Sequence, residues 1–203
     1  MLPAKALILF IKNPIPGKAK TRLAASVGDD MALRMYGILC TWMREQASAL
    51  GPEARRYLYY SQEITEDEWP VAKYHKKLQQ GADLGDRMKK ALAEVFAEGH
   101  KKVLIIGSDC PGITTEYLNQ AYAQLDVSDV VIGPAADGGY TLLGMRQFTP
   151  ELFDGVAWST EDVLQQTLAR AEAAGRTLSQ LPTLIDVDHL EDWYSYGWTL
   201  PQT

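Results

Sequence analysis

Two unbroken apolar runs, Ala6-Leu7-Ile8-Leu9-Phe10-Ile11 and Lys102-Val103-Leu104-Ile105-Ile106-Gly107, restrict the fold of this chain more than any other feature. Both have the length of a strand and neither alternates with polar residues, the pattern of strands covered on both faces. Around them the apolar spacing changes to three and four. Residues 29–50 place Ala32, Met35, Tyr36, Leu39, Met43, Ala47 and Leu50 on one stripe, opened by Asp29-Asp30 and stopped by Gly51-Pro52. Residues 85–98 repeat the pattern with Met88, Ala91, Leu92, Val95 and Phe96, ended by Gly99. Thr115 is the expected cap of a helix carrying Leu118, Ala121, Tyr122 and Leu125, and Ser159-Thr160 the start of another ending near Gly175. Residues 56–61, 129–133, 140–145 and 178–187 read as extended. Strands alternating with helices predict an α/β fold, a mostly parallel central sheet with helices on both faces. With 203 residues, 46% of them apolar, the chain fills one core, so a single domain over 1–203 is expected.

Composition excludes several classes of partner. A net charge of -6 argues against nucleic acid and anionic membrane surfaces. Cys40 and Cys110 lie far apart without metal-ligand spacing, and Cys40 sits on an apolar stripe as a core thiol. No apolar stretch approaches the roughly 18 residues of a membrane span. The N-terminus lacks a signal-peptide layout, so a cytoplasmic protein is expected.

Against that acidic background, the cations of Lys12-Asn13-Pro14-Ile15-Pro16-Gly17-Lys18-Ala19-Lys20-Thr21-Arg22 are concentrated directly after the first strand. In open α/β sheets, ligands sit at the carboxyl ends of the strands. Lys12, Gly17, Lys20 and Arg22 are therefore candidate phosphate-binding residues. The loop is not a Walker A motif, which needs glycine at position 12, and no GxGxxG fingerprint occurs. After the second run come Ser108 and Asp109, an alcohol and a carboxylate directed toward the same crevice; Asp109 is a candidate Mg²⁺ ligand or a plain turn cap. Asp137-Gly138-Gly139-Tyr140 reads either as a close backbone approach to a sugar or as an ordinary hairpin turn. Asp186 and Asp188 alternate onto one side of an extended segment, where either completes a metal site or both serve a helix N-terminus. Gly81 and Arg87 are weaker candidates for a base, a ribose and an anion; Trp158 is one for a sugar ring. Trp193, Tyr194, Tyr196 and Trp198 suggest packing or a homodimer contact. His189 reads as a cap, and His75 and His100 as surface residues. No Ser-His-Asp or Cys-His arrangement or nucleophile elbow is present.

Taken in order, these motifs resemble the GT-A-type nucleotide-diphospho-sugar transferase superfamily, and within it the bacterial DUF2064 group of glycosyltransferase-like proteins. The likeness rests on Phe10-Ile11-Lys12-x-Pro14, Lys20-Thr21-Arg22-Leu23, Gln80-Gly81, Leu84-Gly85-x-Arg87-Met88, Gly107-Ser108-Asp109-Cys110-Pro111, Asp137-Gly138-Gly139-Tyr140, Trp158-Ser159-Thr160 and Asp186-Val187-Asp188. The resemblance implies a Rossmann-like GT-A sheet, Asp109 and Asp188 as ligands of Mg²⁺ or Mn²⁺, and Lys20 and Arg22 on phosphates. In related nucleotidyltransferases the second metal-binding Asp precedes Thr-Pro-Glu-Asp, whereas Asp188 precedes His189-Leu190-Glu191-Asp192.

The expected activity is metal-dependent transfer of a sugar from a nucleoside-diphosphate sugar to a small acceptor. Lys20 and Arg22 would neutralise the departing diphosphate, and Asp137 would bind the sugar or activate the acceptor, with Gly138, Gly139, Tyr140 and Trp158 beside it. Two rivals stand at this stage. One is a guanylyltransferase-like nucleotidyltransferase releasing pyrophosphate, because the same cations suit either leaving group. The other is a non-catalytic nucleotide-binding protein.

Overall fold

A computed structural model of the chain describes residues 2–202. Strand β1 (Lys5–Ile11) is the first apolar run, and the chain then turns through the basic loop into a short helix α1 (Thr21–Val27) that the spacing did not announce. Helix α2 (Asp29–Ser48) buries the expected stripe, with Asp29 and Asp30 in its first turn favouring the macrodipole. Strand β2 (Ala54–Tyr60) follows, and then an unforeseen edge strand β3 (His75–Leu78), whose sequence His-Lys-Lys-Leu carries no apolar alternation. Helix α3 (Leu84–Ala97) is capped by Asp83, whose carboxylate accepts from the Asp86 amide.

Strand β4 (Lys102–Ile106) is the second apolar run. Helix α4 (Thr115–Gln124) is capped by Thr114 rather than Thr115; the Thr114 hydroxyl takes the Tyr117 amide, while Thr115 bonds Gln46 on α2. Strands β5 (Val130–Pro134) and β6 (Tyr140–Met145) form a hairpin. Helix α5 (Val163–Ala173) starts later than expected, since Ser159 is left-handed (φ 65°) and Asp162 is the N-cap. Of the expected extended segment 178–187, only β7 (Leu178–Gln180) joins the sheet continuously. Helix α6 (Leu190–Ser195) begins at His189, the expected cap, whose amide is held by Asp192 Oδ2 at 2.7 Å.

The seven strands form one sheet in the order β3-β2-β1-β4-β6-β5-β7, parallel except for β6. Side-chain alternation sorts the core. Leu7, Leu9, Leu58, Leu104 and Ile106 pack under α2 and α4, whereas Ala6, Ile8, Tyr57, Val103 and Ile105 pack under α3 and α5. Helices thus cover both faces, as the unbroken apolar runs require. The chain leaves β1 for β2 on one side and returns to β4 on the other. That reversal opens a crevice beyond the carboxyl ends of β1 and β4, the place where such sheets bind ligands. One reading is overturned here: His100 is buried, bonded to the Tyr57 hydroxyl (2.8 Å) and the Pro3 carbonyl (2.7 Å). Among the described residues no helix is long and apolar enough to cross a membrane.

Candidate active site

The crevice holds two adjoining cavities that share Lys12, Lys20, Leu84, Met88, Asp109, Tyr140 and Asp186. The inner one, about 290 Å³, is walled by Phe10, Ile11, Ile105, Ile106 and Met88, with Gln79, Ser108 and Thr141 as polar contacts. The outer one, about 660 Å³, contains the charged groups, together with Trp158 and the Asp137–Tyr140 turn.

Lys20 lies at the centre. Its Nζ donates to Asp109 Oδ2 at 2.8 Å and to Asp188 Oδ1 at 3.2 Å, and only 6% of the side chain is exposed. Arg22, largely in solvent, donates from Nη1 to Asp188 Oδ2 at 2.9 Å. Burial opposes charge on Lys20 and on Asp109 alike. Their mutual attraction outweighs it, raising the Lys20 pKa above its ordinary value and holding Asp109 below the usual carboxylate range. Lys20 also has a left-handed backbone (φ 53°, ψ 45°), a sparsely populated state for a non-glycine residue.

Long-range backbone bonds bring these groups together. The Val187 amide donates to the Asp109 carbonyl at 2.9 Å, and the Ile185 carbonyl accepts from Tyr196 Oη at 2.6 Å. Segment 185–188 is thereby laid across the end of β4, with Asp186 and Asp188 both lining the outer cavity. Asp186 has a buried Oδ1 without a partner; burial, with the Asp109 carboxylate beside it, pushes its carboxyl up to about 7. Tyr36 on α2 staples the other wall, accepting from the Lys12 amide (2.9 Å), donating to the Lys12 carbonyl (3.0 Å) and meeting Ser108 Oγ (3.0 Å). Tyr36 was legible only as a core position, since helical spacing does not reveal what a buried hydroxyl bonds. Gln79 was also unforeseen; its amide ties the Ile11 and Tyr59 carbonyls at the ends of β1 and β2.

Other expected residues divide into those that reach the crevice and those that do not. Asp137, Gly139, Tyr140 and Trp158 line the outer cavity. Asp137 closes a hairpin turn, Oδ1 accepting the Gly139 amide at 3.0 Å. Trp158 lies on Gly85, where a Cβ would stand 2.0 Å from the indole, and stacks on Phe153 with ring centroids 6.0 Å apart. Gly138 (φ 90°) is instead packed on the Glu161 backbone, its Cβ position 2.1 Å from that carbonyl oxygen. Gly17, Gly81 and Arg87 do not line either cavity; Arg87 Nε donates to the Gly81 carbonyl at 3.3 Å, fixing the entry to α3. Of the C-terminal aromatics, Trp193 is buried and meets Trp198 edge-on at 4.6 Å, and Trp198 also meets Trp42, whereas Tyr194 is exposed.

The donor set suits a hard divalent cation. Mg²⁺ needs only one or two carboxylates beside phosphate oxygens and water. Asp109 and Asp188 already converge on one cation, the Lys20 ammonium, and Asp186, with a buried oxygen lacking a partner, lines the same cavity. Among the described residues no three His, Cys, Asp or Glu side chains form a ready-made cage. The outer cavity presents Lys12, Lys20 and Arg22 against Asp109, Asp137, Glu161, Asp186 and Asp188. Carboxylates outnumber cations, so a diphosphate entering alone meets a repulsive field.

A family of bacterial proteins described as uncharacterized and conserved in bacteria (DUF2064) matches residues 45–160. A crystal structure of a candidate nucleotide-diphospho-sugar transferase from Desulfovibrio desulfuricans G20 is 36% identical, with a TM-score of 0.86 over 92% of this chain and 83% of that one. CMP:2-keto-3-deoxy-manno-octonic acid synthetase complexed with CTP superposes at TM-score 0.59 and 11% identity, covering 95% and 96% of the two chains. The inositol-1-phosphate CTP transferase from T. maritima does so at 0.56 and 14%, covering 95% and 92%. At those identities the likeness is one of fold, the nucleotide-diphospho-sugar transferase fold. No curated protein matches the sequence.

Proposed function

The chain belongs to the DUF2064 family, and from that premise we propose that it is a transferase taking a sugar from a nucleoside-diphosphate sugar to a small acceptor hydroxyl. The observation that carries this reading is the convergence of Asp109, Asp188, Lys20 and Arg22 on one point of the crevice between β1 and β4, beside an apolar cavity. The similar Desulfovibrio protein, described as a candidate nucleotide-diphospho-sugar transferase, supports it. The inner cavity takes the nucleoside, and the diphosphate lies outward toward Lys12, Lys20 and Arg22.

Asp109 and Asp188 would hold Mg²⁺ or Mn²⁺, which when bound supplies Lewis-acid neutralisation of the diphosphate oxygens. The chain's own groups do the rest. Lys20 and Arg22 stabilise the charge that develops on the diphosphate as the bond from the sugar's anomeric carbon to its oxygen breaks. Asp137 has Oδ1 occupied by the Gly139 amide, leaving Oδ2 to take the acceptor's proton as the new glycosidic bond forms. Nucleoside diphosphate departs. Trp158, held against Gly85, offers a flat apolar face for the sugar.

A second reading is favoured by the fold's occurrence in a CTP-bound synthetase and in a CTP transferase. There an acceptor oxygen would attack the α-phosphate of a nucleoside triphosphate and pyrophosphate would leave. Calorimetry of UDP, GDP, GTP and CTP with and without Mn²⁺, followed by turnover of the best donor, separates the two. Diphosphates binding only with Mn²⁺, and free nucleoside diphosphate as product, are expected. Tight triphosphate binding with pyrophosphate release would overturn the sugar-transfer reading, and nucleotide binding with no turnover would overturn both.

A further inference from the structure

The electrostatics at Lys20 carry a consequence for the cation. Two carboxylates from segments far apart in sequence meet, at 2.8 Å and 3.2 Å, on a single ammonium whose side chain is almost closed to solvent, while each carboxylate keeps about a third of its exposure. The lysine reaches it from a left-handed backbone (φ 53°), at the last residue before α1, where the basic loop ends. Beside it, Asp186 lines the same cavity, and its Oδ1 is buried without a partner. Carboxyl groups there outnumber cations, Asp109, Asp137, Glu161, Asp186 and Asp188 against Lys12, Lys20 and Arg22. A structural ion pair has no use for such an excess, whereas a cation-binding site does.

We propose that the Lys20 ammonium is a tethered substitute for a divalent cation: it keeps Asp109 and Asp188 convergent while the site is empty, and an arriving metal displaces it into the cleft to meet the diphosphate. The inference rests on the metal-dependent reading above and deepens it by assigning Lys20 two successive partners. It follows from mutual exclusion, because an ammonium within 3.2 Å of both carboxylates occupies the space that a metal bridging them needs. Lys20 therefore lowers affinity for metal alone. It returns that cost when nucleotide is present, because the released ammonium then pairs with phosphate. Metal and nucleotide binding are consequently cooperative.

The test titrates Mn²⁺ alone into the full chain and into Lys20→Met, following heat and the paramagnetic signal of free Mn²⁺. Lys20→Met is expected to bind Mn²⁺ at least about tenfold more tightly, the scale of a modest coupling between sites. Equal or weaker binding overturns the inference. A second measurement needs no variant. In the wild-type chain, Lys20 should become several-fold more reactive toward an amine-modifying reagent once Mn²⁺ is bound, as read by peptide mass spectrometry. Unchanged reactivity at saturating Mn²⁺ overturns the displacement.

Failure here is distinguishable from failure of the transferase reading. If Mn²⁺ binds both forms equally while UDP or GDP still requires it, the competition falls and the transferase reading stands. If Lys20→Met binds Mn²⁺ more tightly but no nucleotide binds either form, the competition stands and the transferase reading falls. Absence of Mn²⁺ binding by both forms overturns the competition and the metal dependence together.

Discussion

Among the described residues a lysine twice sits between two carboxylates, and the two arrangements differ in what surrounds them. Lys77 on the edge strand β3 bonds Glu94 at 2.8 Å, on α3, and Glu98 at 3.0 Å, the residue that caps the C-terminus of α3. Each glutamate has a second partner, Tyr59 for Glu94 and Tyr57 for Glu98, so the cluster is satisfied within itself. Lys20 bonds Asp109 and Asp188, which lie 89 and 168 positions away, from a left-handed backbone, with Asp186 unsatisfied beside it and a cavity in front. The distances are nearly the same. What separates a structural clamp from a site is the surplus: unspent acceptors, strain and open volume at one place.

The largest effect that would break this contrast is on binding. Asp109→Ala should lower Mn²⁺-dependent affinity for UDP or GDP on the order of a hundredfold or more, since even outer partners of a metal commonly cost ten- to a hundredfold. Unchanged affinity by calorimetry would remove Asp109 from the site. An effect of similar size falls on stability. Lys20→Met leaves two carboxylates facing each other near a third, and should cost about 3 kcal/mol by urea denaturation without metal, the low end for a broken buried pair because both partners keep about a third of their exposure. Lys77→Met should cost less than about 1 kcal/mol and leave nucleotide affinity unaltered, because that cluster is partly exposed. Equal losses at the two sites would erase the distinction.

The smallest effect sharpens the clamp's side. Burial would raise the pKa values of Glu94 and Glu98, but hydrogen bonds from Lys77 and the tyrosines outweigh it and hold both below the ordinary carboxylate range. Their folded values thus lie below the unfolded ones. The stabilisation is complete above the unfolded value of about 4.3 and disappears as pH falls through the lower, folded values. Between about pH 5 and pH 3, stability should therefore fall more steeply in wild type than in Lys77→Met, as read by chemical denaturation across that range. Parallel slopes would show that the clamp stores no proton-linked stability.

Much of the frame was legible because it is local. Apolar runs without alternation marked β1 and β4, and period-3.6 stripes marked α2 and α3. Elements whose existence depends on neighbours escaped. Strand β3 has no apolar pattern and forms only because β2 offers it an edge; α1 has a single fully buried residue, Leu23. The antiparallel direction of β6 depends on its turning back between β4 and β5. At the site, residue types and loop positions were visible for Asp109, Asp137, Lys20 and Arg22. Gly81 and Arg87 drew attention through their glycine-arginine pattern but serve the start of α3.

The sequence by itself determined which segments end at the crevice and what charge each brings, because a buried strand dictates that its polar successor emerges at the sheet's edge. Tertiary structure alone decided which charges touch. The amide of Val187 on the Asp109 carbonyl set Asp188 against Lys20 and left an Asp186 oxygen without a partner. Such bonds join residues far apart in the chain, and no local propensity encodes them; they exist only once the whole sheet has brought its ends together.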